Sequence, residues 1–582
     1  MSKSLRIALC QMPCRVGTND ETLDANSSKI LEFYNEAAQQ NCDIALLPEL
    51  GICGYAPEDA LLRNDVQTKI MDASNMVIQN VLNTKTNTTI VFGSPRIVEP
   101  VIKDGKRTYS QNLRSMTTLD LVEKPLANAL VVVDPSTKKV NEVYKKYLPN
   151  WGIFDEVRWF ASAQDVADPI EINSVKVGLL NCRDIWKQDA VEDLVKKGAE
   201  IILVPNASPY ANTRHSQRVK TVSAYAKMYS VPIAYVNMIE ACDEAIFDGG
   251  SFAVDFHGNL IEESKRFEET ITFVDVEIPE KTNPITSEVI YPDISAMLVE
   301  DFDEEETYKA IVLGVREFFN AINKSSEVVI GLSGGVDSSL VATIAVDALG
   351  AKRVHGVLLP SMYSSKESTD LALDLANTLG IEARTFSIEK MHETATNEFS
   401  LDSFESVVGE NVQSRLRGLT LMVLSNAHHW LPIATSNKSE AAVGYFTLYG
   451  DSVGAYAPIK DVYKTDVYKL CNWRNSSSEF QVKSPISQAV IDRAPTAELR
   501  ENQTDETALY PYEILDGVLK RFIDWDMSEE QIIADGFDKD VVTRIVGLVK
   551  SAEFKRKQSP VGPRLTRRSF GKDRRIPISY KW

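Results

Sequence analysis

The sequence predicts an α/β protein built in two halves, a mixed α/β sandwich followed by a doubly wound parallel sheet. Three observations support this prediction. Strands and helices alternate up to about residue 275, prolines and acidic residues then interrupt the pattern, and a strand, a glycine-rich loop and a helix follow Thr307. A chain of 582 residues is long enough for two or more domains that each bury a core. We therefore expect one domain over residues 1–275, a linker over 276–306 and a second domain over 307–582.

The first half alternates short apolar runs with amphipathic stretches. Helical periodicity predicts helices over residues 21–40 and 214–230. Stretches near 129–147 and 249–276 resemble hairpins without helices, which favours a sandwich over a purely doubly wound sheet. The predicted strands are residues 6–11, 43–48, 89–92, 130–134, 176–181, 200–204, 233–237 and 251–256.

The second half begins beyond a joint with three prolines, at positions 279, 284 and 292, and an acidic run over 300–306. The pattern after this joint predicts a parallel, Rossmann-like sheet, whose ligands lie at the carboxyl ends of the strands. The predicted elements are a helix from residue 307, strands over 327–330, 353–359 and 382–388, and helices over 337–349 and 366–379.

A glycine-rich segment over residues 331–339, Gly-Leu-Ser-Gly-Gly-Val-Asp-Ser-Ser, lies between a predicted strand and a predicted helix. The bare N–H groups of such a turn, together with the helix N-terminus, bind anions. No Gly-Lys-Ser/Thr follows, so the segment is not the phosphate loop of kinases and GTPases. A structural turn without a ligand is the alternative interpretation.

The composition favours a cytoplasmic enzyme. A formal net charge of −19 argues against nonspecific binding to nucleic acid or to a membrane surface. No apolar run is long enough to span a bilayer, and the first ten residues contain a strand-like segment rather than a signal peptide. Seven scattered cysteines without a Cys-x-x-Cys pair exclude a disulfide framework or a zinc ribbon and fit a reducing compartment.

One basic stretch near the C-terminus departs from this acidic composition. Such a run is a solvated tail in most proteins. A segment that binds a polyanionic ligand is the alternative. Its cations, opposed only by Asp573, are Lys555, Arg556, Lys557, Arg564, Arg567, Arg568, Lys572, Arg574 and Arg575.

Three residues at predicted strand ends suggest nucleophilic catalysis. Glu49, Lys145 and Cys182 each end a run predicted to be a strand. A thiol needs a nearby cation or base to act as a nucleophile at neutral pH, and a lysine also stabilises a tetrahedral oxyanion. These residue types are common, so by themselves they carry little weight.

The motifs around these residues resemble the nitrilase superfamily, in that family's order. They are Leu-Pro-Glu-Leu-x3-Gly-Tyr (47–55), Lys-x2-Leu-Pro-Asn (145–150), Phe-Asp-Glu (154–156) and Cys-x-Asp-x-Trp (182–186). The resemblance implies an α-β-β-α sandwich in which Glu49 is the general base, Lys145 stabilises the oxyanion and Cys182 forms a thioester. Lys146 is a rival for the lysine, and aligning on the following Leu-Pro pair selects Lys145.

The same resemblance implies a glutamine pocket beside the thiol. Two residues depart from the family pattern: Trp151 replaces the usual tyrosine, and Arg183 replaces the acidic residue that usually follows the cysteine. The implied glutamine-binding residues are Trp151, Ser208 and Arg214, with Tyr55 and Glu156 lining the pocket.

Motifs in the second half resemble the ATP pyrophosphatases, and in particular the synthetase domain of the glutamine-dependent NAD⁺ synthetases. Together with the first half they span nearly the whole chain. They are Ser-Gly-Gly-x-Asp-Ser (333–338), Pro-Ser-x-Tyr-Ser-Ser (360–365), Glu-Asn-x-Gln-x-Arg-x-Arg-Gly (410–418), Thr-Ser-Asn-Lys-Ser-Glu (435–440), Gly-Tyr-x-Thr-Leu-Tyr-Gly-Asp (444–451), Asp-x-Tyr-Lys-Thr (461–465) and Lys-Arg-Lys-Gln (555–558).

Two carboxylates in these motifs, Asp337 and Glu440, suit Mg²⁺ bound against phosphate oxygens, because Mg²⁺ prefers one or two carboxylates with phosphates and water. The resemblance implies that ATP binds the glycine-rich loop and Thr435. Ser436 stands where the family commonly has glycine. The loop residues are Gly331, Leu332, Ser333, Gly334, Gly335, Val336, Asp337 and Ser338.

A second set of residues falls where the family binds deamido-NAD⁺. Lys464 suits a phosphate of this substrate or the leaving pyrophosphate. Taken singly, Asn411 also reads as a helix cap, Tyr445 and Phe446 as core aromatics, and Lys464 as a solvated side chain. The implied set is Asn411, Glu440, Tyr445, Phe446, Thr447 and Lys555.

The reaction implied by the resemblance joins deamido-NAD⁺, ATP-Mg and L-glutamine to give NAD⁺, with ATP as a substrate and no tightly bound organic cofactor. We expect small-molecule partners and a homo-oligomer. GMP and asparagine synthetases also couple glutamine to a pyrophosphate loop, but they resemble different glutaminase folds. A catalytically idle nucleotide-binding scaffold is the remaining alternative, and the intact Glu49, Lys145, Cys182, Asp337 and Glu440 argue against it.

Overall fold

The computed structural model describes residues 3–98, 100–103, 106–109, 113–114, 125–280, 282, 302–399, 407–500 and 509–580. The chain divides into two compact units, Met1–Cys242 with Ile246–Glu300, and Asp243–Ala245 with Asp301–Trp582. The linker expected over 276–306 falls mainly outside the described residues. The last strand before it continues to Ile278, and the first helix after it begins at Glu304.

The first unit contains eighteen described strands and four described α-helices. The helices α1 to α4 are Asp20–Gln39, Asn64–Leu82, Gln188–Lys196 and Arg214–Tyr229. The strands β1 to β18 are Lys3–Gln11, Ile44–Leu46, Thr89–Ile97, Pro100–Lys103, Lys106–Tyr109, Leu113–Arg114, Leu126–Asp134, Lys139–Tyr144, Phe160–Ala163, Ile170–Ile172, Val175–Leu179, Ile201–Asn206, Ile233–Asn237, Ile239–Cys242, Ala245–Asp248, Phe252–Val254, Leu260–Glu263 and Thr270–Ile278.

Two mixed sheets form the centre of this unit. One has the order β18-β1-β2-β3-β7-β9-β6 with β8 paired to β7, and the other has the order β10-β11-β12-β13-β16-β17. In the first sheet, Ile7 of β1 lies opposite Ile44 on a parallel neighbour and Val274 on an antiparallel one. β14–β15 and β4–β5 form separate two-stranded hairpins.

The two sheets pack face to face around one apolar core. Leu46 and Val132 from the first sheet share this core with Val177 and Leu203 from the second. The outer face of the second sheet packs against α3 and α4 in another cluster, while α1 and α2 contact strands of the first sheet. The layers are helix, sheet, sheet and helix, so the expected α-β-β-α sandwich is confirmed.

Local sequence explains where the helices of the sandwich begin. The Asn19 side chain accepts a hydrogen bond from the N–H of Thr22 and caps α1, and two acidic residues in the first turn complement the helix dipole. Leu23 and Ile30 then recur at helical spacing and are buried.

The second unit contains a four-stranded, fully parallel sheet. Its strands β19 to β22 are Val328–Gly331, Val354–Leu358, Glu382–Thr385 and Leu431–Ile433, in the order β21-β20-β19-β22. The helices α5 to α16 are Glu304–Ile322, Val336–Leu349, Lys366–Leu379, Glu389–Glu398, Val407–His428, Lys438–Val443, Lys464–Ser476, Gln488–Asp492, Tyr512–Leu519, Glu529–Ala534, Lys539–Ser551 and Glu553–Arg556.

The predicted parallel sheet is therefore confirmed. The helix predicted over 366–379 has these bounds in the structure, and the strand predicted over 353–359 is one residue shorter at each end. The strand predicted over 382–388 ends at Thr385, because the chain turns at this point into a helix that begins at Glu389.

The basic C-terminal stretch is not a solvated tail, which corrects one of the two interpretations of its composition. Arg556 is buried and donates hydrogen bonds to the carbonyls of Ala442 and Val549. Further along, Thr566 hydrogen-bonds to Asp461. The stretch is thus a folded part of the second unit.

No helix among the described residues is long and apolar enough to cross a membrane. All seven cysteines are free thiols, and six of them are buried.

Candidate active sites

Three residues of the first unit converge from strand ends. Glu49 follows β2, Lys145 directly follows β8, and Cys182 begins a short 3₁₀ helix after β11. Cys182 has a φ of 46°, a left-handed conformation that is uncommon for a residue other than glycine. The backbone N–H of Lys145 donates to the carbonyl of Asn128, which anchors the lysine beside β7.

A buried lysine lies between two carboxylates at this site. The Lys145 Nζ is 2.6 Å from Glu49 Oε1 and 2.8 Å from Glu156 Oε1. The side chains of the lysine and of Glu49 are fully buried, and that of Glu156 is 1 % exposed. The structure therefore brings Glu156, expected only as a pocket residue, into direct contact with the lysine.

Several donors hold the two carboxylates in place. Asn128 Nδ2 donates to Glu49 Oε1 at 2.7 Å, and the N–H of Ala207 donates to Glu49 Oε2 at 3.0 Å. The hydroxyl of Tyr55 donates to Glu156 Oε1 at 2.6 Å. Asn128 in turn accepts from Asn181, the residue before the cysteine. Sequence reasoning missed both asparagines, although Asn181 adjoins Cys182.

Burial and charge set the protonation of this cluster. Burial raises the pKa of the Cys182 thiol, the Glu49 charge raises it further, and Lys145 opposes both. Burial alone would lower the pKa of Lys145, but the charges of Glu156 and Glu49 outweigh it and raise that pKa. Burial raises the pKa of Glu156 to about 7, against the attraction of Lys145. At rest the site therefore contains a thiol and an ammonium group.

The neighbouring lysine faces away from this cluster. The Nζ of Lys146 lies 3.6 Å from a carboxylate oxygen of Asp189 and 3.6 Å from one of Asp193, both on α3. This geometry favours Lys145 as the lysine of the site.

A buried ion pair that sequence reasoning missed contacts Ser208, one of the predicted glutamine-binding residues. Arg218 Nε donates to Ser208 Oγ at 3.1 Å, and its Nη1 lies 2.8 Å from Asp248 Oδ1. Arg218 and Asp248 are fully buried, and Arg266 also pairs with Asp248. The only sequence signal was the position of Arg218 one turn after Arg214 on the same helix.

The remaining pocket residues pair arginine with tryptophan. Arg214, at the start of α4, lies over the Trp186 ring at 5.8 Å, and Arg183 lies over the Trp151 ring at 4.4 Å. Both distances are within the range of cation–π attraction. The two departures from the family pattern therefore contact each other.

The glycine-rich loop of the second unit has the geometry of an anion site. Gly334 has a φ of 76°, and a Cβ there would lie 2.3 Å from the carbonyl oxygen of Ser368, so only glycine fits. The hydroxyls of Ser333 and Ser338 hydrogen-bond to each other at 3.0 Å. Gly335 is the N-cap of the 14-residue helix α6 and provides no side-chain cap, which leaves N–H groups of the first turn available to a ligand.

A second lysine between carboxylates adjoins this loop. Lys464 Nζ forms an ion pair with Asp337 Oδ2 and lies 4.0 Å from Glu440 Oε1. Asp337 Oδ1 also accepts from the side chain of Asn437, which caps the helix that carries Glu440. Burial would lower the pKa of Lys464, but the charges of Asp337 and Glu440 outweigh it and raise that pKa.

The residues present fit a magnesium ion bound together with phosphates. Among the described residues no group of three or more His, Cys, Asp or Glu side chains could hold a metal alone. Asp337 and Glu440 supply the one or two carboxylates that Mg²⁺ takes when phosphate oxygens complete its shell.

A cavity of about 290 Å³ extends from this loop. Thr435, Ser436, Glu440, Tyr445 and Lys464 line it together with the loop residues, except Gly334. The site expected at the carboxyl ends of the parallel strands is thus a real cavity.

The other predicted dinucleotide residues contact one another. Asn411 Oδ1 accepts from the hydroxyl of Thr447 at 2.7 Å, so Asn411 is not simply a helix cap. Lys555 Nζ donates to the carbonyls of Gly444 and Phe446 and lies 5.3 Å from the Phe446 ring centroid. The Lys555 ammonium group therefore contacts the backbone carbonyls on either side of Tyr445. Its role in substrate binding stays a prediction.

One lining residue of the cavity was missed. Arg417 donates through Nε to the carbonyl of Leu359 at 3.1 Å, and burial lowers its pKa to about 10. Its signal was the Arg-x-Arg-Gly motif, in which no role was given to the second arginine.

Comparisons with known proteins match both units. The family model described as Carbon-nitrogen hydrolase matches residues 6–281, and the one described as NAD synthase matches residues 307–559. The chain is 37% identical to the glutamine-dependent NAD(+) synthetase of Rhodobacter capsulatus, over 100% of this chain and 99% of that protein. It is also 37% identical to the enzyme of the same name from Aquifex aeolicus, over 99% of this chain and 100% of that protein.

A solved structure agrees with these relatives over both units. The glutamine-dependent NAD+ synthetase from Acinetobacter baumannii, in complex with adenosine diphosphate, matches with a TM-score of 0.71 and 33% identity. The match covers 99% of this chain and 98% of that one.

Proposed function

The chain belongs to the glutamine-dependent NAD(+) synthetase family, and from that membership and its two sites we propose how it makes NAD⁺. The reaction converts deamido-NAD⁺, ATP, L-glutamine and water to NAD⁺, AMP, diphosphate and L-glutamate. The observation that best supports it is the presence in one chain of a buried Glu-Lys-Cys cluster and an open pyrophosphate loop.

The first unit releases ammonia from glutamine. Glu49 takes the thiol proton as the Cys182 sulfur bonds to the carboxamide carbon, and Lys145 stabilises the resulting oxyanion. The C–N bond breaks as Glu49 returns the proton to nitrogen, and ammonia leaves a thioester behind. Water then gives a proton to Glu49 as it attacks the thioester. The C–S bond breaks as Glu49 returns that proton to the Cys182 sulfur, which releases glutamate and restores the thiol.

The buried contacts of the first site support these roles. A lysine at 2.6 Å from Glu49 and 2.8 Å from Glu156 is held in one position, so it stabilises an oxyanion without reorganising. Asn128 and the N–H of Ala207 fix both oxygens of Glu49. Ser208, Arg214 and Trp151 bind the glutamine in this proposal, with Tyr55 and Glu156 lining the pocket.

The second unit activates the nicotinate carboxylate, which is a poor acyl donor. This carboxylate attacks the α-phosphorus of ATP. The bond from that phosphorus to the oxygen bridging the α- and β-phosphates breaks, diphosphate departs, and an NAD-adenylate is formed. Ammonia then attacks the acyl carbon, loses a proton, and displaces AMP to form the carboxamide. The loop from Gly331 to Ser338 and Thr435 bind ATP, and deamido-NAD⁺ binds Asn411, Glu440, Tyr445, Phe446, Thr447 and Lys555.

Asp337 and Glu440 would hold Mg²⁺, which supplies charge neutralisation for the phosphates when it is bound. Lys464 serves the same phosphates as a cation. Its ion pair with Asp337 supports this role, because the ammonium already lies where positive charge is needed.

We also propose a cytoplasmic homo-oligomer. Seven free cysteines suit a reducing compartment. Leu419, Met422 and Val423 are exposed on α9, and an apolar helix face of this kind is often covered by another subunit. Light scattering coupled to size-exclusion chromatography measures the oligomeric state, and a monomeric mass would contradict this part of the proposal.

A product assay tests the reaction. Purified protein is incubated with deamido-NAD⁺, ATP, Mg²⁺ and either L-glutamine or ammonium, and NAD⁺, AMP, diphosphate and glutamate are quantified. We expect all four products with glutamine, and NAD⁺ with AMP and diphosphate when ammonium replaces it. If glutamine is hydrolysed but no NAD⁺ forms with either nitrogen source, the NAD(+) synthetase reaction is excluded. No turnover of any substrate would favour an idle scaffold.

A further inference from the structure

An arginine lies at the outer end of the glutaminase site. Arg183 immediately follows the nucleophile on the short helix Cys182–Trp186. Its guanidinium carbon is 4.4 Å from the centroid of the Trp151 ring, and this tryptophan is 50% exposed. We call Arg183 and Trp151 the pocket mouth.

A row of aromatic rings connects the pocket mouth to the buried lysine cluster. The Trp151 ring is 6.0 Å from that of Phe154, which is 6.1 Å from that of Tyr55. The Tyr55 hydroxyl donates to Glu156, which contacts Lys145. The row of contacts therefore links the pocket mouth to the cluster of Glu156 and Lys145.

Arg183 has no anionic partner within the described part of the chain. Its guanidinium contacts the Trp151 ring there, and its Nε is buried without a hydrogen-bond partner. The nearest acid along the chain, Asp184, is already engaged, because its Oδ1 accepts from the N–H of Tyr147 at 2.7 Å. Glu49 and Glu156 are likewise engaged by Lys145. Stacking holds the guanidinium in position while its hydrogen-bond donors stay free.

We propose that Arg183, held by Trp151, binds the α-carboxylate of the glutamine substrate. The planar fork of a guanidinium matches a carboxylate with two parallel hydrogen bonds, and stacking on an indole preorganises it for that purpose. This inference rests on the proposed function, because it requires glutamine to be the substrate of Cys182.

The proposal gives the two departures from the family pattern a joint meaning. An acidic residue after the cysteine would repel a carboxylate and attract an ammonium group, whereas Arg183 does the reverse. Tryptophan at position 151 provides a larger ring face for the guanidinium than tyrosine does, and it is the strongest of the cation–π partners. The pair makes this pocket selective for carboxamides that carry a carboxylate at the far end.

Substitution of the arginine, read with two substrates, tests the proposal. Ammonia release is measured for L-glutamine and for L-glutamine α-methyl ester, whose carboxylate charge is removed. In Arg183→Gln we expect KM for glutamine to rise by about 10- to 100-fold with kcat little changed, because a charge-assisted contact is lost. We expect KM for the ester to stay within about twofold of the wild-type value, since the ester has no charge for Arg183 to bind.

Control variants separate this contact from general damage. Arg63→Gln removes an arginine that is exposed and pairs only locally with Asp65, so both KM values should be unchanged. Trp151→Leu removes the stacking surface and should raise KM for glutamine more than KM for the ester. That difference distinguishes positioning of the arginine from a merely structural role of the ring.

Each outcome has a defined meaning. An equal rise of KM for both substrates in Arg183→Gln, or no rise for either, overturns the proposal. Arg214→Gln is measured in the same way. If only this variant raises KM for glutamine more than KM for the ester, the proposal is also overturned. If Arg183→Gln turns over neither substrate, Arg183→Lys decides: full ester turnover with KM for glutamine raised several-fold supports the proposal, and an unchanged KM overturns it. A wild-type protein that releases no ammonia from glutamine contradicts the proposed function itself.

Discussion

Each unit of this protein places a lysine between two carboxylates, and the two clusters differ in how far solvent reaches them. In the first unit, Lys145 and Glu49 are fully buried and Glu156 is 1 % exposed. In the second, Lys464 is 3 % exposed, while Asp337 and Glu440 are each 18 % exposed. We call the buried cluster around Lys145 the closed cluster and the more exposed cluster around Lys464 the open cluster.

The difference in exposure corresponds to a difference in chemistry. Charges in the closed cluster interact strongly, because little solvent screens them, and removing one leaves a buried partner uncompensated. The open cluster borders a cavity, and in the proposed function a substrate phosphate and a cation would bind beside it. In the proposed function, the first lysine keeps its two carboxylate partners, and the second exchanges its partner for ligand charge.

Removal of the Cys182 thiol, the proposed nucleophile, should have the largest effect, and it should affect only the reaction of the closed site. In Cys182→Ala we expect glutamine-driven NAD⁺ formation to fall by about 10⁴-fold or more, because no sulfur is left to form the thioester. Ammonium-driven synthesis should stay within about twofold of the wild type. The measurement is the initial rate of NAD⁺ formation with each nitrogen source. Equal loss of both rates would show that the two sites do not act separately.

The buried lysine itself is the next largest expected effect. Lys145→Ala should lower glutamine hydrolysis by about 10²- to 10³-fold, because the oxyanion loses its preorganised donor and two acids lose their counter-charge. Lys146→Ala is the matched control, since its ammonium faces the acids of α3 and should change the rate by less than about twofold. If Lys146→Ala abolishes hydrolysis instead, the assignment of the lysine is wrong.

Neutralising one acid of the open cluster should depress synthesis from either nitrogen source. In Asp337→Asn and Glu440→Gln we expect about 10²-fold slower NAD⁺ formation with glutamine and with ammonium alike, because phosphate and metal binding serves adenylation in both. Glutamine hydrolysis assayed alone should persist. A variant that forms the adenylate and diphosphate at the wild-type rate would remove that residue from the metal site.

Sequence patterns predicted the elements and the strand-end residues because these depend on short-range periodicity and on motifs. The helix over residues 366–379 and the cluster of Glu49, Lys145 and Cys182 are of this kind. Local patterns did not reveal Asn128, which supports Glu49 only because β7 and β2 are brought near by other strands. Nor did they reveal that a lysine 127 positions beyond Asp337 would pair with it.

Composition was the weakest guide. The basic run that begins at Lys555 contains nine cations and one acid, yet Arg568 pairs with Asp526, an acid 42 positions earlier in the chain. A charge count along the chain does not show which opposite charges tertiary structure will supply.

Titration of Glu156 should have the smallest effect, and it tests how the protonation of a buried acid in the first cluster changes the rate of glutamine hydrolysis. Burial raises the pKa of Glu156 to about 7, so this acid takes up a proton as the pH falls through neutrality. Lys145 then has Glu49 as its remaining charged partner in the pair of carboxylates, and this contact opposes proton transfer from Cys182. We expect kcat/KM for glutamine hydrolysis to fall several-fold below about pH 7 in the wild type. Glu156→Gln should be slow at all pH values and lack that step.

Stability should change in the opposite sense, which separates catalysis from unfolding. A raised folded-state pKa means that folding favours the protonated acid, so this group's stabilisation is complete below its unfolded-state pKa and is lost as the pH rises through about 7. Titration of Glu156 should therefore not lower the thermal midpoint of the first unit in the pH range below about 7, where the activity falls. If the activity step persists in Glu156→Gln, another group titrates, and Asp184, whose pKa burial raises to about 6, is the first alternative to test.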